Sequence, residues 1–501
     1  MKGLLVSGSI SGLVYLCLVA HFPLPTHIRA GVPLDLMKLT GYSPLACALY
    51  AAAICLLFLC YLGAWRAARR DDGRLRGWIL AFAALFGAEL LWLYPINATD
   101  LFQYFLRSRI FLHHRANPLV VPPERFPHDP FLPLVGEWTD IPSPYGPVWE
   151  LLAALAAWSS GGALVPNLLA LKALALASFL GSAALLDRIL GRIAPARRAG
   201  GLLLFAWNPL LLLEVVGNGH NDGAMLSLVL AAIWCWVRGH RAWVLPTLVA
   251  AALVKAVAAL LIPIALAALW REEQACRGAA PLHPRSLALS IFLSLALISV
   301  FYAPFWPPWA SVKGVVEEVG RPAGFSPSAL VKLAASHLLL ALCDERPPRW
   351  AFGLVAALPR WLALAGVAAL YLRELRAAAR GRDLVEAAFN ALFAYLILAP
   401  SFRMWYPAWL VPLAALRPGE GRRWRMVAFS WSAQLSVAIY GYLWGWVSGP
   451  RWLITHALGV PFTFLPPLVA PKAQRTFGRL TGRVRCGILN RESNEGGNRW
   501  S

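Results

Sequence analysis

The sequence predicts an all-α polytopic membrane protein, a bundle of about 12–14 transmembrane helices with one long, structured polar loop outside the membrane. Three observations carry this expectation. The 501 residues are 59% hydrophobic and only 14% charged, too little charge to cover a soluble fold of that size. The apolar residues fall in blocks of roughly 17 to 25, the length that crosses a hydrocarbon core of about 30 Å. The basic residues behind the net charge of +21 sit in short links between those blocks.

The placement of these links decides between partners. Arg66, Arg69, Arg70, Arg74 and Arg76 form one link, Arg188, Arg192, Arg197 and Arg198 a second, and Arg373, Arg376, Arg380 and Arg382 a third. Lys472, Arg475, Arg479, Arg483 and Arg485 make 471–501 a basic tail. Cationic links alternating with apolar spans mark the cytoplasmic side of an inner-membrane protein, and they exclude nucleic acid as a partner. The eight cysteines form no CxxC pair, so neither a disulfide framework nor a zinc site is readable. Leu4–Ala20 has one Lys before an apolar stretch but no small-x-small cleavage site, and is expected to be an uncleaved first helix.

Simple crossings are expected near 3–21, 44–65, 77–95, 167–187, 199–216, 222–237, 285–304, 351–372, 384–400, 405–417, 424–447 and 452–470. With the Arg-rich 66–76 link inside, 96–146 falls outside, as the extracytoplasmic part of a 1–470 membrane domain. Alternation then agrees with the charges only if three segments are not simple spans. The short 147–163 stretch ends at Gly161-Gly162 and suits a re-entrant or slanted helix. The 242–270 run suits a hairpin of two short helices with Lys255 near its outer tip. The 328–343 stretch, with Lys332 and His337, suits an interfacial helix. Non-ideal helices at membrane depth need protein or a wet cavity to satisfy their backbone, so a cavity open to the outside is expected.

Every unusual polar motif falls on that outer side. Asn97-Ala98-Thr99-Asp100 opens the loop, and an amphipathic helix follows in which Asp100, Tyr104 and Arg107 share one face at i, i+4 and i+7. An acid against an apolar wall can act as a general base; the plainer alternative is that Thr99 or Asp100 only caps the helix. Prolines at 118, 122, 123, 127, 130, 133, 142, 144 and 147 stiffen the rest of the loop, as the wall of a groove or as a plug over the bundle. Beyond it lie His220, Asn221 and Asp222, which either border a cavity or cap the next helix. The same outer side receives the Trp306–Pro327 loop. Lys255 and Arg403 either snorkel to an interface or offer charge to a buried phosphate. His220 and Asp222 alone are too few ligands to define a metal site. No P-loop, Rossmann glycine pattern, GxSxG or HExxH is present.

Thr99-Asp100 with Tyr104, Asn117-Pro118, Trp138 and Pro144-Tyr145-Gly146-Pro147 together resemble the first external loop of GT-C glycosyltransferases. The sequence is most similar to the bacterial polyprenol-phosphate-mannose-dependent α-mannosyltransferases, with Trp207-Asn208-Pro209, Gly219-His220-Asn221-Asp222 and Lys255 following in the same order. The similarity runs from about residue 90 to 270 and more loosely to Pro412. It implies an inverting membrane enzyme, with a polyprenyl-phosphate sugar as donor and a glycan or glycolipid as acceptor. By the same resemblance Asp100 is the base that deprotonates the acceptor hydroxyl. Tyr104, Tyr145, His220, Asn221, Asp222, Lys255 and Arg403 are the expected substrate contacts. Arg109 fits the family's basic position better than Arg107, although Arg107 shares the acid's face. No cofactor is implied, and a divalent cation is left open. Competing readings are a transporter or flippase of lipid-linked sugars and a non-catalytic scaffold. The first would be favoured by internal inverted repeats, of which no second copy of the 96–146 loop is found.

Overall fold

A computed structural model describes residues 1–28, 33–69, 73–275, 284–307, 309, 324–343, 347–417 and 419–471. The basic tail beyond 471 and most of the Trp306–Pro327 loop lie outside the described residues. Within them the chain is built from helices and has no strand; an isolated antiparallel bridge pairs Pro23 with Leu93.

Six helices are long and apolar enough to cross a membrane: Lys2–His21, Pro44–Ala68, Leu164–Ile193, Ser286–Phe305, Arg349–Ala379 and Arg451–Pro471. A seventh crossing is bent by 55° between Pro195–Ala206 and Leu211–Gly217. The remaining predicted crossings appear as shorter helices, among them Arg76–Leu90, Asp222–Arg238 and Leu384–Leu398. The 242–270 run is broken as its Lys and Pro suggest: Val244–Ala252 and Leu261–Ala275 are joined through Lys255 and a 3₁₀ turn, Ala256–Leu260. The 328–343 stretch is a helix, Pro327–Leu342, whose first turn is capped by the Ser326 hydroxyl accepting from Ala329 N–H at 3.2 Å.

The bend in the seventh crossing has a local cause. Pro209 cannot donate to the helix ladder, and the freed turn is taken up by the Asn208 side-chain oxygen, which accepts from Leu210 N–H at 3.1 Å and Leu211 N–H at 3.3 Å. The chain then winds as a π-helix over Leu211–Gly217, a form found at functional sites more often than elsewhere.

One end of the bundle is held by the basic links. Asp187 receives Arg76 from the first link and Arg198 from the second, at 2.5 Å and 2.7 Å. Arg423 stacks over Trp65 at 4.4 Å. The polar motifs gather elsewhere, around a cavity.

Candidate active site

The loop helix, Asp100–Leu112, presses Leu101, Phe102, Phe105 and Leu106 into the core and is buried along most of its length. Thr99 makes no side-chain cap, and the Asp100 carboxylate is turned away from capping duty: it accepts the Tyr145 hydroxyl at 2.5 Å. Burial, reinforced by the Asp100 charge, pushes the Tyr145 phenol well above its ordinary pKa, so it remains a donor. Tyr104, one turn on, packs edge-on against Tyr145 and Trp149, with ring centroids at 5.2 Å and 4.8 Å. Its oxygen accepts from Asn221 N–H at 3.4 Å.

Tyr145 is aimed by the glycine that follows it. Gly146 N–H donates to Val254 C=O at 3.1 Å, and Val148 N–H to Leu253 C=O at 3.0 Å. A Cβ at Gly146 would collide with the Leu253 carbonyl. Only glycine allows this backbone approach, and it sets the loop directly beside Lys255.

A cavity of roughly 310 Å³ opens where these segments meet. Asp100, Arg107, Tyr145, Lys255, Arg403 and Trp405 are among the residues that line it. The loop, the hairpin and the 401–406 segment, distant in sequence, therefore converge on one space. That volume suits a sugar-sized ligand with a polar group attached.

Its cations differ in state. Lys255 is already paired, 2.8 Å from Asp222, and sits over the rings of Tyr145, Tyr406 and Trp409 at 6.0, 5.5 and 5.8 Å. Arg403 lies over Trp138 at 5.0 Å. Arg107 is only 1% exposed, and none of its three guanidinium nitrogens has a hydrogen-bond partner. The buried Glu150 lies within its electrostatic reach without bonding to it. A buried guanidinium without hydrogen-bond partners costs several kcal/mol.

Arg109, two residues on, points elsewhere. It donates to Asp129 at 3.1 Å, alongside His114 at 2.8 Å, and stacks over Phe131 at 4.7 Å. Two positions of helix set it about 160° around the axis from Arg107, so it pins the loop and does not line the cavity. Asp129 is held there as an anion. Burial raises its carboxyl, but bonds from His114, Phe131 N–H and Arg109 outweigh that and leave it below the usual Asp range.

His220, Asn221 and Asp222 lie behind the cavity wall. Asp222 accepts the Trp409 indole at 2.5 Å on one oxygen and Lys255 on the other. His220 stacks on Trp405 at 4.0 Å, and the Asn221 amide has no partner. Among the described residues no group of three His, Cys, Asp or Glu side chains gathers to hold a metal ion.

Sequence reasoning missed two buried groups. Glu214 on the π-helix accepts Asn97 at 2.9 Å, Gln434 at 3.0 Å and Asn218 at 2.8 Å. Lys172 donates to the carbonyls of Leu93 and Gly217, tying two helix ends together. The signal was available: each is a lone ionisable residue in an apolar run, and such residues at membrane depth are costly unless they serve a purpose.

Comparison with known proteins bears on this arrangement. A family model described as "Alpha-(1->6)-mannopyranosyltransferase, N-terminal domain" matches residues 7–271. Alpha-(1->6)-mannopyranosyltransferase A of Mycobacterium tuberculosis is 26% identical over 228 residues, 44% of this chain and 43% of that protein. Alpha-(1->6)-mannopyranosyltransferase B of Corynebacterium glutamicum is 32% identical over 104 residues, 20% of this chain and 17% of that protein. The matched stretches thus span less than half of either relative.

Proposed function

Because the chain belongs to the alpha-(1->6)-mannopyranosyltransferase family, we propose that it is a membrane mannosyltransferase that takes mannose from a polyprenyl-phosphate donor. In this reading it lies in the bacterial inner membrane with its cavity facing outward, and the acceptor is a hydroxyl of a glycan or glycolipid. The observation that carries the reading is the pairing, in one cavity, of the Asp100 carboxylate with the buried, unpaired Arg107.

The chemistry needs those two groups. Asp100 takes the proton as the acceptor O–H bond breaks, and the hydroxyl oxygen attacks C1 of the sugar. The C1–O bond to phosphate breaks with its electron pair leaving on the phosphate, so the anomeric centre is inverted. General-base assistance contributes roughly 10²–10⁴-fold. Charge developing on the leaving phosphate falls to Arg107, with Lys255 and Arg403 across the cavity. Tyr145 holds Asp100 in place without removing its second oxygen from use. Since the donor already carries an activated sugar on a lipid, no nucleotide-binding domain is required.

A panel of polyprenyl-phosphate sugars incubated with the purified chain and octyl α-mannoside tests this. Mannosylated product from the polyprenyl-phosphate mannose alone is expected. Transfer from a nucleotide sugar, or lipid movement across vesicles with no product, would overturn the proposal.

A further inference from the structure

Glu214 lies 1% exposed inside the bundle, away from the cavity lining, yet its two oxygens reach both sides of Asp100. Its Oε1 accepts Asn97 Nδ2 at 2.9 Å, three residues before Asp100 in the chain. Its Oε2 accepts Asn218 Nδ2 at 2.8 Å, and Asn218 Oδ1 in turn accepts Asn97 N–H at 3.3 Å. The entry to the loop helix is therefore gripped twice, by side chain and by backbone. On the other side, Glu214 Oε2 lies 3.5 Å from His220 Nε2, and His220 Nδ1 lies 4.0 Å from Asp100 Oδ1. Neither imidazole nitrogen has a hydrogen-bond partner, and the ring is 1% exposed. A ring buried with both nitrogens unpaired is not explained by packing alone.

Gln434 extends the grip. It donates to Glu214 Oε1 at 3.0 Å and to Tyr50 Oη at 2.9 Å, so helices from both halves of the chain meet at this carboxylate. Gln434 lies outside the 7–271 segment that matches the family. Glu214 lies within the π-helix Leu211–Gly217.

We infer that Glu214, acting through Asn97 and Asn218, is a positioning residue that fixes where the Asp100 carboxylate stands in the cavity. This rests on Asp100 being the base. Three amides donate to Glu214, two at Oε1 and one at Oε2, so an amide in its place keeps a single accepting oxygen and sets donor against donor at the other position, loosening the hold on Asn97 directly or through Asn218. Asp100 then drifts, and a misplacement of about 1 Å can cost about 10²-fold in rate.

The test is steady-state transfer from polyprenyl-phosphate mannose to octyl α-mannoside, using the full chain in vesicles. Wild type is compared with Asp100→Asn, Glu214→Gln and Glu214→Asp. The expected result is an inactive Asp100→Asn, and Glu214→Gln lowered about 10- to 100-fold in kcat with both KM values unchanged. Glu214→Asp keeps the acceptor oxygens and should recover part of the loss. Wild-type kcat in Glu214→Gln beside an inactive Asp100→Asn overturns the positioning role alone. So does a loss in Glu214→Gln that is matched by raised KM values or by reduced folded protein. Full activity in Asp100→Asn overturns the base assignment beneath it.

Discussion

Arg107 and Arg109 stand two positions apart on one helix and do different work. The first is buried without hydrogen-bond partners at the cavity, and the second is bonded to Asp129. Arg107→Gln should therefore lower kcat/KM for sugar transfer by about 10²–10³-fold, the scale of a lost transition-state donor. Arg109→Gln should leave KM and kcat within a few-fold and show its effect as reduced thermal stability. Steady-state kinetics and a melting curve on the two variants separate them. The sequence alone placed Arg107 on the face of Asp100, while family likeness favoured Arg109; in the structure Arg107 lines the cavity and Arg109 does not. Glu214 was not legible in the same way, because its donors come from residues 97, 218 and 434, which no local spacing brings together.

At the scale of elements, the loop is ordered by two fixings. One is the backbone approach of Gly146 to Leu253 and Val254, which sets Tyr145 beside Lys255. Gly146→Ala should force the loop and the hairpin apart and lower kcat by about 10²-fold, since it displaces the partner of Asp100. The other fixing is Asp129, between His114 and Arg109. Its folded carboxyl is depressed, so its stabilisation is fully present above about pH 3.9, the unfolded value. It is lost only as pH falls through the depressed folded value. Asp129→Asn should abolish that acid-side loss and lower the melting temperature at neutral pH; a pH series of melting curves checks both. The prolines announced a stiff loop. The partners that stiffen it, hydrogen bonds over tens of residues, are not visible in composition. The hairpin around Lys255 was legible because a Lys and a Pro interrupt an otherwise apolar run.

For the whole molecule, apolar blocks and basic links were enough to expect a helical membrane bundle. What they overstated was regularity. Among the described residues six helices have the length and composition of a simple span, while others are shorter or bent at Pro209. The loop, the hairpin broken at Lys255 and the irregular 401–406 segment border the cavity, while the crossing bent at Pro209 does not line it. A straight helix satisfies its own backbone and has nothing left to offer a ligand, whereas broken ends bring polar groups to membrane depth. Asp100 and Arg107 stand where those breaks meet, in a cavity that the loop, the hairpin and the 401–406 segment share. The most direct measurement is sugar transfer from polyprenyl-phosphate mannose by vesicles containing Asp100→Asn. The prediction is unchanged membrane insertion with transfer lost by at least about 10²-fold. Transfer at the wild-type rate would contradict the role given to this cavity.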